Sequence, residues 1–218
     1  MINKIKKILV NKNLDGYIVP KNDKFFTEYS KISNLELVSK FNGSAGFAII
    51  LKNKNYLFVD GRYTIQAKKQ SGKNFKILEI PLIWPKNIFD SYKNKLNIGF
   101  DPKLFTYNSL KYYFSNTCNL MPINEDLFNL KKKRSSILNE FYKLDEKVAG
   151  ESSKSKVNKV VKILNKKKID YFFISAGENV CWLLNIRGKD LPNSPIANCN
   201  IILAKDKKIY FFSKLGKI

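Results

Sequence analysis

Two stretches of this chain follow the same plan. Asn165-Lys166-Lys167-Lys168-Ile169-Asp170-Tyr171 echoes Asn11-Lys12-Asn13-Leu14-Asp15-Gly16-Tyr17, each reading as a helix end, then an Asp and a Tyr leading into an apolar strand. Further on, Ile201–Ala204, a turn at Lys205–Lys208 and Ile209–Phe212 echo the stretch from Phe47 to Val59. The step from Asp15 to Asp170 matches that from Phe58 to Phe211 to within two residues. A recurring order at one long interval indicates a duplicated unit. The fold class expected is therefore α/β, as two related mixed-sheet α/β units. The second copy reaches Ile218 before counterparts of the later helix and strands of the first, so it reads as incomplete.

The elements within each copy follow from hydrophobic period. Ile2, Ile5, Ile8 and Leu9 fall on one face of a helix, with lysines opposite. Leu14–Val19 is an apolar strand ended by Pro20. Phe47–Leu51 and Tyr56–Val59 pair as a hairpin about residues 52–55. Arg62–Lys69 reads as a helix, Phe75–Ile80 and Asn97–Phe100 as strands, and Asn87–Lys95 as a helical segment between them. Tyr107–Phe114 is helical and Asn119–Met121 is a short strand. In the second copy, Val157–Lys168 is amphipathic on Val157, Val160, Val161 and Leu164. Strands alternating with helices imply layered α/β units. The boundaries expected are residues 1–130, a basic linker at 131–136 carrying Lys131, Lys132, Lys133 and Arg134, and 137–218.

Composition narrows the function classes. The chain has 218 residues and a formal net charge of +22, from 40 basic and 18 acidic residues. Such a charge suits a polyanion partner. However, Arg occurs only at Arg62, Arg134 and Arg187, and the lysines are spread through every segment. Readers of nucleic-acid bases favour the bidentate fork of Arg. A Lys-rich coding bias explains the charge better than a specific nucleic-acid site. Cys118, Cys181 and Cys199 have no CxxC spacing, which fits a reducing, cytoplasmic setting. No apolar run is long enough to span a bilayer, and no signal peptide is read at the start. The chain also contains no histidine, the side chain that metal-dependent hydrolases recruit most often.

Two motif clusters stand out. In the first copy, Asn42, Gly43, Ser44 and Gly46 precede the hairpin, and Asp60, Gly61, Arg62 and Tyr63 follow it. Asp60 is placed to cap the turn that Arg62 begins. In the second copy, Trp182, Asn185, Arg187, Gly188 and Asp190 lie within Glu178–Pro192. Arg62 and Arg187 are conspicuous in a chain that otherwise uses Lys. They are read either as ties to backbone carbonyls or to Asp60 and Asp190, or as recognisers of a substrate carboxylate or another domain. The structural tie is the simpler expectation. Trp182, inside the apolar Val180–Leu184 run, is expected in the core, and Asn185 and Gly188 are expected to shape a turn.

In this order, these motifs resemble the Xaa-Pro aminopeptidase (aminopeptidase P) family. Asp15-Gly16-Tyr17-Ile18-Val19-Pro20, Ile98-Gly99-Phe100-Asp101-Pro102 and Pro122-Ile123-Asn124 agree with that family's N-terminal domain. Glu178–Pro192, with Asn193, Pro195 and Asn200–Ala204, looks like its middle domain. The resemblance is weakest at Lys131–Ser136. It implies a creatinase/prolidase-type N-terminal domain, part of a related second one, and a catalytic pita-bread domain C-terminal to this chain. That catalytic domain would bind two divalent metals, usually manganese, and the complete protein would form a homodimer. For this chain the resemblance implies no catalytic residue, no metal ligand and no cofactor, only structural or domain-contact roles for the motif residues. The function expected is the non-catalytic N-terminal portion of such an enzyme, serving dimerisation and active-site access. The alternatives are a stand-alone binding module of the same fold or a basic nucleic-acid-binding protein.

Overall fold

A computed structural model describes residues 1–23, 33–125, 127–128, 141–191 and 193–213. The basic run Lys131–Arg134, the rest of the expected linker and Pro192 lie outside these residues. The chain divides into two compact units, Met1–Lys131 and Lys132–Ile218. Among the described residues, no helix is long and apolar enough to cross a membrane.

The first unit runs α1 (Ile2–Asn11), β1 (Gly16–Pro20), α2 (Asn34–Ser39), β2 (Gly46–Leu51) and β3 (Asn55–Asp60). A 3-10 turn at Gly61–Tyr63 leads into α3 (Thr64–Ser71), then β4 (Lys76–Ile80), α4 (Pro85–Phe89) and β5 (Asn97–Phe100). A second 3-10 turn, α5 (Tyr107–Phe114) and β6 (Asn119–Pro122) complete it. The six strands lie in the order β4-β3-β2-β1-β5-β6, and β2 alone runs against its neighbours. Strand alternation sends Tyr17, Val19, Ala48, Ile50, Leu57 and Val59 to one face, where Ile5, Leu9, Leu35 and Ala67 of the first three helices cover them. Ile18, Phe47, Ile49 and Phe58 point the other way and are covered by Phe89 of α4 and Phe114 of α5.

The second unit contains β7 (Tyr142–Lys143), α6 (Glu146–Ala149), α7 (Ser153–Lys166), β8 (Tyr171–Ile174), α8 (Gly177–Leu184), β9 (Ile186–Arg187), β10 (Cys199–Ala204) and β11 (Ile209–Ser213). An antiparallel sheet in the order β11-β10-β8 packs one face on Val157, Val161 and Leu164 of α7 and on Val180, Cys181 and Leu183 of α8. The short strands β7 and β9 form a separate ribbon.

The two units share helix–strand–helix–hairpin order and antiparallel pairing around the central strand of the hairpin. The likeness extends to single hydrogen bonds. α1 ends with Asn13 at φ 50° and α7 with Lys168 at φ 56°. In the first, the Asn13 amide donates to Val10 and the Leu14 amide to Leu9; in the second, Lys168 donates to Asn165 and Ile169 to Leu164. Each is a Schellman close, with its apolar pair (Leu9 with Leu14, Leu164 with Ile169) at the expected positions. At the start of the strand that follows, Asp15 pairs with Lys52 at 3.0 Å and Asp170 with Lys205 at 2.6 Å, both lysines in hairpin turns.

Several elements differ from the sequence expectation. The helix expected at Asn87–Lys95 is α4, shorter and earlier, because Pro85 starts it at N1. Arg62 and Tyr63 belong to a 3-10 turn rather than to α3. Residues 34–39 form a helix, α2, for which the sequence reading placed no element. Trp182 is not in the core: the residue is 57% exposed. The Val180–Leu184 run is helical, so Val180, Cys181 and Leu183 turn inward and residue 182 falls on the outside.

Candidate functional site

In the first unit, β1, β3, β4 and β5 all end at the same edge of the sheet, where β2 begins. Ligand sites in open α/β sheets form outside the carboxyl ends of the parallel strands. A cavity of about 400 Å³ lies there, lined by residues that include Pro20, Phe47, Asp60, Phe105, Tyr113 and Phe114. That volume falls within the ordinary range for small-ligand or side-chain pockets.

Two residues of the first motif cluster, Gly46 and Asp60, line this cavity. Gly46 has φ +145°, and a Cβ there would lie 2.6 Å from the Phe58 carbonyl oxygen, so the strand entry requires glycine. The Ser44 and Tyr63 hydroxyls are 2.8 Å apart, and the Tyr63 ring meets Phe41 edge to face at 5.8 Å. Asn42 accepts hydrogen bonds from the Gln66 and Gln70 side chains at 2.7 and 2.9 Å. The loop before the hairpin is thus clasped to the turn and helix after it.

Asp60 caps that turn by accepting from the Arg62 amide at 2.9 Å. The same carboxylate accepts from Arg62 Nε at 2.8 Å and Nη2 at 3.2 Å. This charge-assisted pair holds the Asp60 carboxyl below its usual range. The Arg62 guanidinium also lies 5.6 Å from the Tyr63 ring centre. Gly61 sits against the Glu79 carboxylate, where a Cβ would approach Oε1 to 2.8 Å.

The second motif cluster organises the second unit. Asn185 closes α8 in the left-handed region at φ 52°. Its Oδ1 accepts from Lys156 Nζ at 2.7 Å, and its Nδ2 donates to the Glu151 carbonyl at 2.8 Å. Lys156 is buried; its ammonium also donates to the Trp182 carbonyl at 2.9 Å and lies 4.6 Å from the centre of the Trp182 ring. Sequence reading missed this lysine, because nothing in its spacing separates it from the other lysines around it. Arg187 donates to the Cys181 and Ile186 carbonyls at 3.1 and 2.8 Å. Asp190 accepts from the Asn198 amide at 2.8 Å. Gly188 lies so close to Ala197 that a Cβ would be 2.7 Å from its side chain.

Two thiols meet beside this cluster. The Ala197 amide donates to Cys181 Sγ at 3.5 Å, and the Cys199 thiol donates to the Ala197 carbonyl at 3.5 Å. Contact with the Cys199 thiol, against burial but with help from the Ala197 amide and Arg187, lowers Cys181 to about 7. The same contact, with burial, raises Cys199. Both are fully buried, which shields them from bulky reagents. Burial raises Cys118 of the first unit to about 11.

Among the described residues, no group of three or more His, Cys, Asp or Glu side chains could hold a metal. The sequence has no histidine, and Asp15, Asp60, Glu151 and Asp170 are all paired with lysine or arginine. This donor set does not fit a pair of divalent metals, and no reaction step is assigned through one.

Known proteins match along nearly the whole chain. The Creatinase/Prolidase N-terminal domain family matches residues 1–129, and a second family model of the same description matches residues 132–218. A probable Xaa-Pro aminopeptidase P of Coprinopsis cinerea is 30% identical over 96% of this chain and 36% of its own length. Xaa-Pro aminopeptidase 1 of Dictyostelium discoideum is 29% identical over 96% of this chain and 37% of its own. The chain therefore spans little more than a third of these relatives. The crystal structure of X-prolyl aminopeptidase from Caenorhabditis elegans, described as a cytosolic enzyme with a di-nuclear active site, superposes with a TM-score of 0.84. That superposition covers 99% of this chain and 39% of the other at 24% identity, and it establishes a shared fold.

Proposed function

The chain belongs to the creatinase/prolidase N-terminal domain family, and from that premise we propose that it is the non-catalytic N-terminal portion of a cytoplasmic Xaa-Pro aminopeptidase. The observation that carries this reading is the collinear match of 96% of the chain to 36% of a relative. In the complete enzyme, a catalytic domain C-terminal to this chain supplies the two divalent metals, manganese by preference. Metals held there would supply the activation of water that hydrolysis of the bond before proline requires. The two units correspond to two domains with residues 131–136 between them. Their tasks are homodimer formation and control of access to the active site. The motif residues around Arg62 and Arg187 hold local structure and present surface to the neighbouring domain.

The second unit supports the same reading. On the sheet face away from α7 and α8, Tyr171, Phe173, Tyr210 and Phe212 are exposed. In the first unit, the matching face is covered by α4 and α5. A bare aromatic face of this kind calls for further polypeptide to cover it.

The metal half of the proposal is open to equilibrium dialysis of the purified chain against Mn²⁺. The expected result is no stoichiometric uptake at micromolar metal. Uptake of a metal pair by the chain alone would contradict it.

A further inference from the structure

Two of the three cysteines meet inside the second unit. Cys181 lies on the inward face of α8, and Cys199 opens β10. Both are buried, at 2% and 0% exposure. They share one backbone neighbour. The Ala197 amide donates to Cys181 Sγ, and the Cys199 thiol donates to the Ala197 carbonyl, each at 3.5 Å. The two thiols also hydrogen-bond to each other. Close packing fixes this meeting. Gly177 and Cys181 are one helical turn apart and so share a face of α8. A Cβ on Gly177 would lie 2.5 Å from the Ala197 carbonyl oxygen, so glycine there lets the helix approach the segment before β10.

The second motif cluster braces the same two segments. Arg187 donates to the carbonyl of Cys181 itself. The Gly188 amide donates to the Pro195 carbonyl at 3.2 Å, and Asp190 accepts from the Asn198 amide. The sulfurs are therefore held side by side by noncovalent ties on either side of them. They are not equivalent. Contact with the Cys199 thiol, against burial, lowers Cys181 to about 7, and the same contact raises Cys199. One thiol is readied as a nucleophile and its neighbour is kept protonated. Cys118 of the first unit has no such asymmetry, and burial raises it to about 11.

We propose that Cys181 and Cys199 are a modification site, a redox pair that hydrogen peroxide converts to a disulfide tying α8 to β10. The sulfurs already lie against each other, which is what disulfide geometry demands of a pair before it can close. Peroxide is little larger than water, so burial that excludes bulky reagents does not exclude it. The Cys181 thiolate attacks one peroxide oxygen; an S–O bond forms as the O–O bond breaks. The departing hydroxide takes up the proton that Cys181 released and becomes water. Cys199 Sγ then attacks Cys181 Sγ of the sulfenic acid; the S–S bond forms as the S–O bond breaks. The leaving hydroxyl takes the Cys199 proton as a second water. Two thiols are oxidised by two electrons and one peroxide is reduced to two waters. A small dithiol reverses the step by exchange. The site lies wholly within the second unit and does not depend on the enzymatic role proposed above.

The test treats the purified, unsubstituted chain with hydrogen peroxide, blocks the remaining thiols with N-ethylmaleimide in denaturant and maps the peptides by mass spectrometry. The expected product joins Cys181 to Cys199, is lighter by two hydrogens, and is released by dithiothreitol, while Cys118 is recovered as a blocked thiol. In Cys199→Ser, Cys181 has no resolving partner and should accumulate as the sulfenic acid, read as its dimedone adduct after denaturation. In Cys181→Ser, Cys199 should remain a thiol. Amide hydrogen exchange across α8 and β10 should slow by about tenfold or more in the oxidised chain, the direction that closing a loop dictates. Should the serine variants fail to fold, the map and the exchange of the unsubstituted chain decide the question by themselves. Recovery of both thiols unmodified, irreversible oxidation of Cys181 without a disulfide, random pairing that includes Cys118, or cross-linking between chains overturns the proposal. A dimedone adduct on Cys199 in a folded Cys181→Ser chain overturns the order of attack, and a disulfide that leaves exchange unchanged overturns the tie.

Discussion

Single residues show how the same device has been built twice with different quality. Asn13 and Lys168 occupy the same left-handed position after a helix. Asn tolerates that conformation, whereas Lys carries the full steric cost of its Cβ. Lys168 is exposed and lies outside the packed core. Lys168→Gly should therefore stabilise the second unit by roughly 0.5–1 kcal/mol, and Asn13→Gly should do less for the first. Urea unfolding of each variant measures this; a loss of stability in Lys168→Gly would mean that the lysine makes a contact of its own.

Asp15 gives a prediction in pH. Burial pushes its pKa up, but the Asn97 amide at 2.9 Å and the Lys52 ammonium outweigh it and hold the carboxyl below the usual value. A carboxyl depressed in the folded state adds stability above its unfolded pKa of about 3.9 and loses it as pH falls through the folded value. The stability gap between the natural chain and Asp15→Asn should therefore be constant near neutrality and shrink below about pH 4. A gap that persists unchanged in acid would assign the effect to packing.

At the scale of elements, what could be read from the sequence was what period and spacing encode. Ile5 and Leu9 mark the buried stripe of α1, and the alternation of Phe47 to Leu51 and of Tyr56 to Val59 produces the two-faced hairpin. Asp60 was legible as a cap because capping is local. Trp182 was misread because five apolar residues in a row do not distinguish a buried strand from a short helix with one outward position. α2 carried a signal that went unused: Ser33 accepts from the Glu36 amide at 3.1 Å, and a Ser with Glu three residues on marks a helix start. The rest of the site could not be read. The cavity gathers residues from β1, β2, β3, β4 and α5, and the cage around Lys156 joins α7 to the end of α8. Such meetings depend on tertiary packing, which no local pattern records.

At the scale of the molecule, the duplication reconciles the two halves of the reading. One unit carries helices on both faces of its sheet, and the other presents Tyr171, Phe173, Tyr210 and Phe212 on a bare face. The formal charge of +22 is spread through all segments. The charge therefore marks overall composition. Neither unit offers, among its described residues, the acidic and imidazole cluster that metal-dependent hydrolysis needs. The measurement that tests this account most directly is release of the first residue from an Xaa-Pro peptide by the purified chain, with and without Mn²⁺. The account predicts no release above the buffer rate under either condition. Turnover that depends on added metal and is abolished by a chelator would contradict it.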